Sequence, residues 1–414
     1  MSIVTNIISK LLKEDENEAS ILTFCDFEQE LSEEYLLNYI NEIIKNNPIL
    51  KQTIIKKNNQ FFLCDIESFN INKCFSIKYS EKTNFNTYIK SMLNKKLSEY
   101  NFYMFVCINR ELKKSRIFFK IHHSYADGYK LMNMLTEPLY IKKEDNKPPA
   151  FKREKNMLNS IYYYTIGTVI LFITTILILL KNLFTFNKTN KTNKINKTNK
   201  TNVNILTDYI ICKSLSLDEI KQFAIENNIT INDFLYALMI KTDKIYTKKE
   251  RIIQTVSPIN VSKLNKINNF CPILNNINNS YDNINLLEKV NNTFNNFKYS
   301  LFIPMFDGII NNFVSYINPK ILLKYHNKII NNSHYIYSNV IGPPIDKFNI
   351  KVSDIKFLIT AKSSEIVYNI ISSKNNINIV CSFKKGIVKD KKYFKKCIYK
   401  AYKNLMNTNT PLDL

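Results

Sequence analysis

Residues 116–128 read Arg-Ile-Phe-Phe-Lys-Ile-His-His-Ser-Tyr-Ala-Asp-Gly, and two of the chain's four histidines stand side by side within them. Arg116 to Ile121 is β-branched and aromatic, the composition of a strand. Successive strand side chains point to opposite faces. Ile117, Phe119, Ile121 and His123 therefore share one face, and Arg116, Phe118, Lys120 and His122 the other. The first face is otherwise apolar. This reading turns His123 inward, where its tautomer and protonation can be controlled, and keeps His122 from serving the same site in the same way. Asp127 can accept from a backbone N–H or a cation and so brace the turn. Gly128 allows a positive φ or the close approach of a ligand. A strand that ends in His-His, with Asp-Gly three residues on, puts a candidate general base at the mouth of a sheet. The plainer alternative is a buried histidine beside an ordinary turn.

Upstream, Tyr103 to Ile108 pairs naturally with Arg116 to His123 as a hairpin across polar Asn109 to Ser115. Downstream, Tyr129 to Thr136 predicts a helix stopped by Pro138. Leu31 to Ile44 has helical spacing, with Ser32 as cap and Asn47-Pro48 as stop. Gln60 to Cys64 and Phe75 to Lys78 predict short extended runs, and Phe85 to Lys96 a helix. Residues 1–20 are expected to be peripheral. The pattern is mixed α and β without repeats.

The chain has 414 residues and is 45% hydrophobic, which exceeds what one core usually holds and predicts two subdomains. Its net charge of +23 comes mainly from lysine and favours anionic partners such as nucleic acid, lipid surfaces or phosphorylated cofactors, although a drift toward Lys, Asn and Ile over the whole chain explains most of it. No Arg-rich patch or nucleic-acid motif supports a nucleic-acid partner. The eight cysteines fall at no metal-ligand or redox spacing and read as free thiols in a reducing compartment, with no metal site expected. The N-terminal residues lack the long apolar stretch of a signal peptide.

Residues 161–180, IYYYTIGTVILFITTILILL, carry no charge and are long enough to cross a hydrocarbon layer. The Asn-Lys-Thr tract of residues 187–202 reads as a polar linker. The expected organisation is therefore residues 1–150, a hydrophobic and linker segment over 151–202, and residues 203–414. In the last part, Tyr209 to Ile211 predicts a strand, Ser216 a helix cap, and Thr230-Ile231-Asn232-Asp233 the start of a helix to Lys241. Ile252 to Val256 predicts a strand, Asn260 to Ser280 an irregular stretch, and Leu286 to Leu301 a helix. Tyr335 to Pro344 predicts a strand running into a sharp turn. Strands at Val352 to Thr360, Ile366 to Ile371 and Ile377 to Phe383 and a helix from Asp390 to Asn404 close the chain.

Three segments, His122-His123-x-x-x-Asp127-Gly128, Ile231-Asn232-Asp233 and Ser338-Asn339-Val340-Ile341-Gly342-Pro343, resemble in order and spacing the bifunctional wax ester synthase/diacylglycerol acyltransferase (WS/DGAT) family. That family belongs to the CoA-dependent acyltransferase superfamily of chloramphenicol acetyltransferase and peptide-synthetase condensation domains. Two departures stand out: the family's Pro-Leu-Trp is here Asn101-Phe102-Tyr103, and a common arginine is here Ser262. The resemblance implies a mixed α/β fold of two chloramphenicol-acetyltransferase-like subdomains forming a pseudo-dimer, with the hydrophobic helix inserted. It implies acyl-CoA as co-substrate, no permanently bound cofactor, and diacylglycerol or a long-chain alcohol as acceptor. His123 would be the general base, with His122 beside it, Asp127 holding the motif loop and Gly128 leaving room for the acyl chain. Asn232, Asp233, Ser338, Asn339 and Gly342 would shape the substrate site, although Asn232-Asp233 also reads as a helix cap and Asn339 to Pro343 as a turn.

A site shared between the halves requires both on one side of a membrane. Residues 161–180 are therefore expected to lie along the interface rather than cross it, on an intracellular membrane such as the endoplasmic reticulum, with the catalytic halves cytosolic. The competing readings are a membrane-tethered lipid-binding protein without catalysis and an acyltransferase for a non-lipid acceptor.

Overall fold

A computed structural model describes residues 2–3, 20–57, 60–81, 84–97, 100–141, 169, 207–260, 270–299, 319–360 and 366–407. The first half holds strands β1 (Ser2–Ile3), β2 (Ser20–Phe27), β3 (Gln52–Lys57), β4 (Gln60–Asp65), β5 (Phe75–Tyr79), β6 (Phe102–Asn109) and β7 (Lys114–His122). Its helices are α1 (Glu33–Asn46), α2 (Ile89–Asn94) and α3 (Gly128–Thr136). The second half holds β8 (Thr207–Ile211), β9 (Leu215–Ser216), β10 (Ile252–Asn260), β11 (Phe270–Asn278), β12 (Tyr335–Val340), β13 (Val352–Ile359), β14 (Ile366–Ser373) and β15 (Asn376–Lys384). Its helices are α4 (Leu217–Glu226), α5 (Ile231–Thr247), α6 (Asn283–Tyr299), α7 (Pro319–Asn332) and α8 (Lys391–Met406).

The helices form where the sequence supplies ends and a face. In α1 the Ser32 hydroxyl accepts from Tyr35 N, Glu33 and Glu34 sit at the positive end of the helix dipole, and Lys45 sits at the negative end. Its buried stripe is Leu36, Tyr39, Ile40, Ile43 and Ile44. Tyr39 donates to Leu135 O at 2.5 Å, which ties α1 to α3. Lys120 reaches from β7 to the backbone carbonyls of Leu93 and Lys95 and so closes the C-terminal end of α2.

A five-stranded sheet runs β13-β2-β7-β6-β5 and a larger one runs β11-β10-β12-β14-β15-β8, with β9 also on β15. Both are mixed: β5·β6, β10·β12 and β12·β14 are parallel, and the neighbouring pairs are antiparallel. The mixed α/β expectation therefore holds. The sequence boundary does not divide the sheets cleanly, because β13 leaves the second half and pairs with β2 along Val352 to Ile359. Ile117, Phe119 and Ile121 face a core shared with α1 and α3, and Ile355 and Phe357 of β13 join it. The opposite face of the same sheet, through Leu22, Phe24 and Phe118, meets Leu358, Val380, Tyr209 and Ile211. The first sheet is thus covered on both sides, and residues 115–122 are all buried.

Several expectations change. Of the stretch expected to be irregular, Phe270 to Asn278 is a strand: β11 pairs with β10 from Ile252↔Asn278 to Asn260↔Phe270, because its Asn side chains are carried on a strand whose apolar Ile273 and Ile277 enter the second core, and residues 261–269 lie outside the described residues. The α5 helix runs on past Lys241 to Thr247. Phe85 to Lys96 splits into a 3-10 turn at Phe85–Tyr88 followed by α2. The hydrophobic segment expected at 161–180 lies, except for Val169, outside the described residues, as does the tract at 187–202. Among the described residues no helix is long and apolar enough to cross a membrane.

The sheets are stitched by buried polar groups. The Asn369 amide on β14 donates to Val380 O at 2.9 Å and Ser382 Oγ at 3.2 Å, while its Oδ1 accepts from Ile359 N at 3.0 Å. Asn369→Ala removes the acceptor of Ile359 N and is expected to lower stability by about 1–3 kcal/mol. In a urea melt the midpoint should fall with an unchanged slope.

Candidate active site

The residues around the histidine pair form a tightly built turn. β7 ends at His122, and residues 123–125 turn before α3 begins. Strand alternation therefore stops one residue short of His123, and it is His122 that is the more buried, at 6% exposure, while His123 is half-buried. His122 Nδ1 accepts from Ser124 N at 3.2 Å and lies 2.7 Å from Ser124 Oγ. These two contacts commit His122 Nδ1 to the turn. His122 N donates to Asn101 O at 2.8 Å, and the Tyr125 hydroxyl accepts from Ile54 N at 2.6 Å. His123 Nδ1 is itself buried.

Asp127 is the N-cap of α3, its carboxylate accepting from Lys130 N at 2.8 Å. Gly128 is the first residue of that helix. A Cβ built on it would lie 2.9 Å from Val340 Cγ2, so the His-His segment and the Ser-Asn-Val segment are in direct contact across the two halves. The contact can be measured. Gly128→Ala should destabilise alone and do so less in a Val340→Ala background. The double-mutant cycle is expected to give a coupling of about 0.5–3 kcal/mol; additivity would mean the two segments do not touch.

The end of β12 distributes its side chains to both halves. Val340 packs against the first core, whereas Tyr337 belongs to the second. Asn339 shares the face of Tyr337, and both reach Asn232 at the start of α5. Asn339 Nδ2 donates to Asn232 Oδ1 at 3.0 Å, and the Tyr337 hydroxyl donates to the same oxygen at 3.1 Å. With Oδ1 held by two donors, the Asn232 amide cannot flip. Asp233 does something else. It is 2% exposed and closes a capping box with Thr230, accepting from Thr230 N at 2.8 Å while Asp233 N donates to Thr230 Oγ1 at 3.1 Å. Burial holds the Tyr337 phenol well above its usual range, with the Asp233 charge adding to the effect. Ser338 is buried on the strand opposite Asn369 of β14.

Gly342 clamps this segment to β14: its N donates to Ser372 Oγ at 3.1 Å, and an added Cβ would lie 1.6 Å from Ser372 O. Tyr337 and the Val340 contact were not singled out in the sequence. Tyr337 stands two residues before Asn339, so strand alternation alone puts it on the same face. Among the described residues no cluster of three or more His, Cys, Asp or Glu side chains could hold a metal.

Residues 268–406 match the family model of the WS/DGAT C-terminal domain. The chain carries a WS/DGAT C-terminal domain. That match contains the Ser338 to Pro343 segment of the resemblance, while the His122 to Gly128 and Ile231 to Asp233 segments lie outside it. Its fold is also similar, over 99% of this chain and 100% of the other, to the wax ester synthase/diacylglycerol acyltransferase from Marinobacter aquaeolei VT8, with a TM-score of 0.61 and 12% identity. The trichothecene 15-O-acetyltransferase from Fusarium sporotrichioides is similar over 98% of this chain and 94% of its own, with a TM-score of 0.64 and 10% identity. The starter condensation domain of rhizomide synthetase, solved with C8-CoA and Leu-SNAC, is similar over 100% of this chain and 96% of its own, with a TM-score of 0.58 and 8% identity. No curated protein matches the sequence. These solved structures share the fold of this chain, in which the His-His and Ser-Asn-Val segments meet.

Proposed function

We propose that this chain is an acyl-CoA-dependent O-acyltransferase that moves a fatty acyl group to a lipid alcohol, either diacylglycerol or a long-chain fatty alcohol. The observation that carries the reading is the contact of Gly128 with Val340, which brings the His-His segment against a segment of the WS/DGAT C-terminal domain. In this reading His123 is the general base. Imidazole suits the task because an alcohol is a poor nucleophile near neutrality and histidine exchanges its proton there. With Nδ1 buried, Nε2 is the nitrogen we assign to the substrate. The alcohol oxygen attacks the thioester carbon as His123 takes its proton, the C–S bond breaks, and the proton passes to the departing coenzyme A thiolate. No acyl-enzyme is required.

The neighbouring residues support this role by position. Asp127 fixes the start of α3, Gly128 lets β12 approach, and the immobilised Asn232 amide offers a donor of set direction beside Asn339. The activities in the Marinobacter enzyme's name and the C8-CoA ligand of the rhizomide domain support an acyl-CoA donor and a lipid acceptor. We further propose that the protein works at an intracellular membrane, with residues 161–180 lying along the interface and both halves on the cytosolic side. The test is thiol release from palmitoyl-CoA by the purified chain. Release that depends on added hexadecanol or diacylglycerol supports the reading. Release to water alone, or none, removes it.

A further inference from the structure

The outer face of α8 has a charge that the rest of the fold does not explain. Its inner face, with Phe394, Ile398, Tyr402 and Leu405, packs into the second core and against α5. Its outer face carries Lys391, Lys392, Lys395, Lys396, Lys400 and Lys403, all exposed, and the helix contains no acidic residue. This is not the chain's general lysine content. The α1 helix mixes Glu33, Glu34 and Glu42 with Lys45, and α4 mixes Asp218, Glu219 and Glu226 with Lys221. Lys391 pairs with Asp208 at 2.7 Å, and Lys403 lies over the Tyr399 and Tyr402 rings at 5.7 Å. Among the described residues, Lys392, Lys395, Lys396 and Lys400 have no carboxylate partner.

Like charges three and four positions apart on a helix repel one another. A face built this way is offset when an anionic surface meets it. Two tyrosines stand among the lysines with their rings partly in solvent, Tyr393 at 37% and Tyr399 at 45% exposure. Amphipathic rings beside long basic side chains are what the boundary between headgroups and acyl chains accommodates. The strip continues onto α5, whose end touches α8 through Tyr246 and Tyr393 and leads into exposed Lys248 and Lys249.

We propose that this face of α8 docks on an anionic phospholipid surface. The proposal names the surface from which the acyltransferase would draw its lipid acceptor, and to that extent it rests on that reading. The absence of arginine from the helix and the placing of tyrosines favour lipid over nucleic acid.

The test compares binding of the full chain to phosphatidylcholine vesicles and to mixed phosphatidylcholine–phosphatidylserine vesicles. The variant combines Lys392→Gln, Lys395→Gln, Lys396→Gln and Lys400→Gln. Residues 161–180 and the lysines that flank them are the same in both proteins, so the difference between wild type and variant in the anionic-to-neutral ratio isolates the charged face. The wild-type chain is expected to bind the anionic vesicles about 100-fold more strongly, a preference that the variant and high salt both abolish. Glutamine keeps the helix, which circular dichroism checks. The proposal is overturned if the variant keeps the preference, if the wild type has none, or if duplex DNA strips the wild type from the vesicles. Ester formation in neutral detergent micelles, measured in parallel, separates the two claims. Equal activity of both proteins there, with vesicle preference lost only in the variant, supports docking. Absence of ester from both would sink the enzyme reading and leave the vesicle comparison to decide docking.

Discussion

His123→Ala is expected to lower acyl transfer from palmitoyl-CoA by about 10²–10⁴-fold, the range a positioned general base contributes. The loss should fall on kcat, with the KM for acyl-CoA little changed, because the base acts on the alcohol proton rather than on donor binding. His123 lies in a turn and is half-buried, so its removal should leave thermal stability within about 1 kcal/mol of wild type. His122→Ala provides the contrast. His122 is 6% exposed and its Nδ1 lies against Ser124. Its loss should destabilise the protein first and reduce activity only as the turn loosens. Equal activity of wild type and His123→Ala would remove the base from the mechanism even if the fold were untouched.

The second large effect is structural. Gly342→Ala places a Cβ 1.6 Å from Ser372 O and 2.8 Å from Ser372 C, a backbone that cannot swing aside as a side chain can. The parallel pairing of β12 with β14, from Tyr335↔Ile366 to Val340↔Ile371, would have to open at its end. That pairing carries Asn339 and Val340 to the seam. We expect a loss of about 4 kcal/mol or more, at the exceptional end for a single substitution, and a sharp fall in soluble protein. Gly386→Ala is the control. Gly386 has φ +95° and no atom within 4 Å of the added Cβ, so only the left-handed backbone is strained, at about 1–2 kcal/mol. If Gly342→Ala melted no lower than Gly386→Ala, the close approach of β12 to β14 would be wrong.

How far the sequence led differs from element to element. The hairpin β6–β7, the cap at Ser32 and the closing helix were legible because each carries a local signal: a polar turn, a capping hydroxyl, a helical apolar stripe. β2 was not, although it is an inner strand of the five-stranded sheet, between β13 and β7. Its residues Ile21, Cys25 and Phe27 enter one core and Leu22 and Phe24 the other, so no alternation marks it. The same two-sided burial defeats alternation on β7, and the end of the strand at His122 leaves the orientation of His123 to the turn. β13 also looked like an ordinary strand of the second half. Its partner is β2, 325 or more residues away in sequence at every paired position (Val352↔Phe27 being the nearest pair), and no local pattern encodes such a pairing. At the site, Asn232 and Asn339 were found as separate motifs. Their hydrogen bond, and Tyr337 as a second donor to Asn232, required the fold. Asp233 went to its helix cap, an alternative that its position after Thr230 had already offered.

The central claim is that this chain joins a fatty acyl group to a lipid alcohol using His123, and product analysis tests it most directly. Purified wild-type chain and His123→Ala are each given palmitoyl-CoA with a labelled acyl chain, with hexadecanol or diacylglycerol as acceptor, and the neutral lipids are separated. Labelled ester is expected from the wild type in step with coenzyme A release, and little or none from His123→Ala. Unchanged palmitoyl-CoA with every acceptor, or the same ester yield from both proteins, would contradict it.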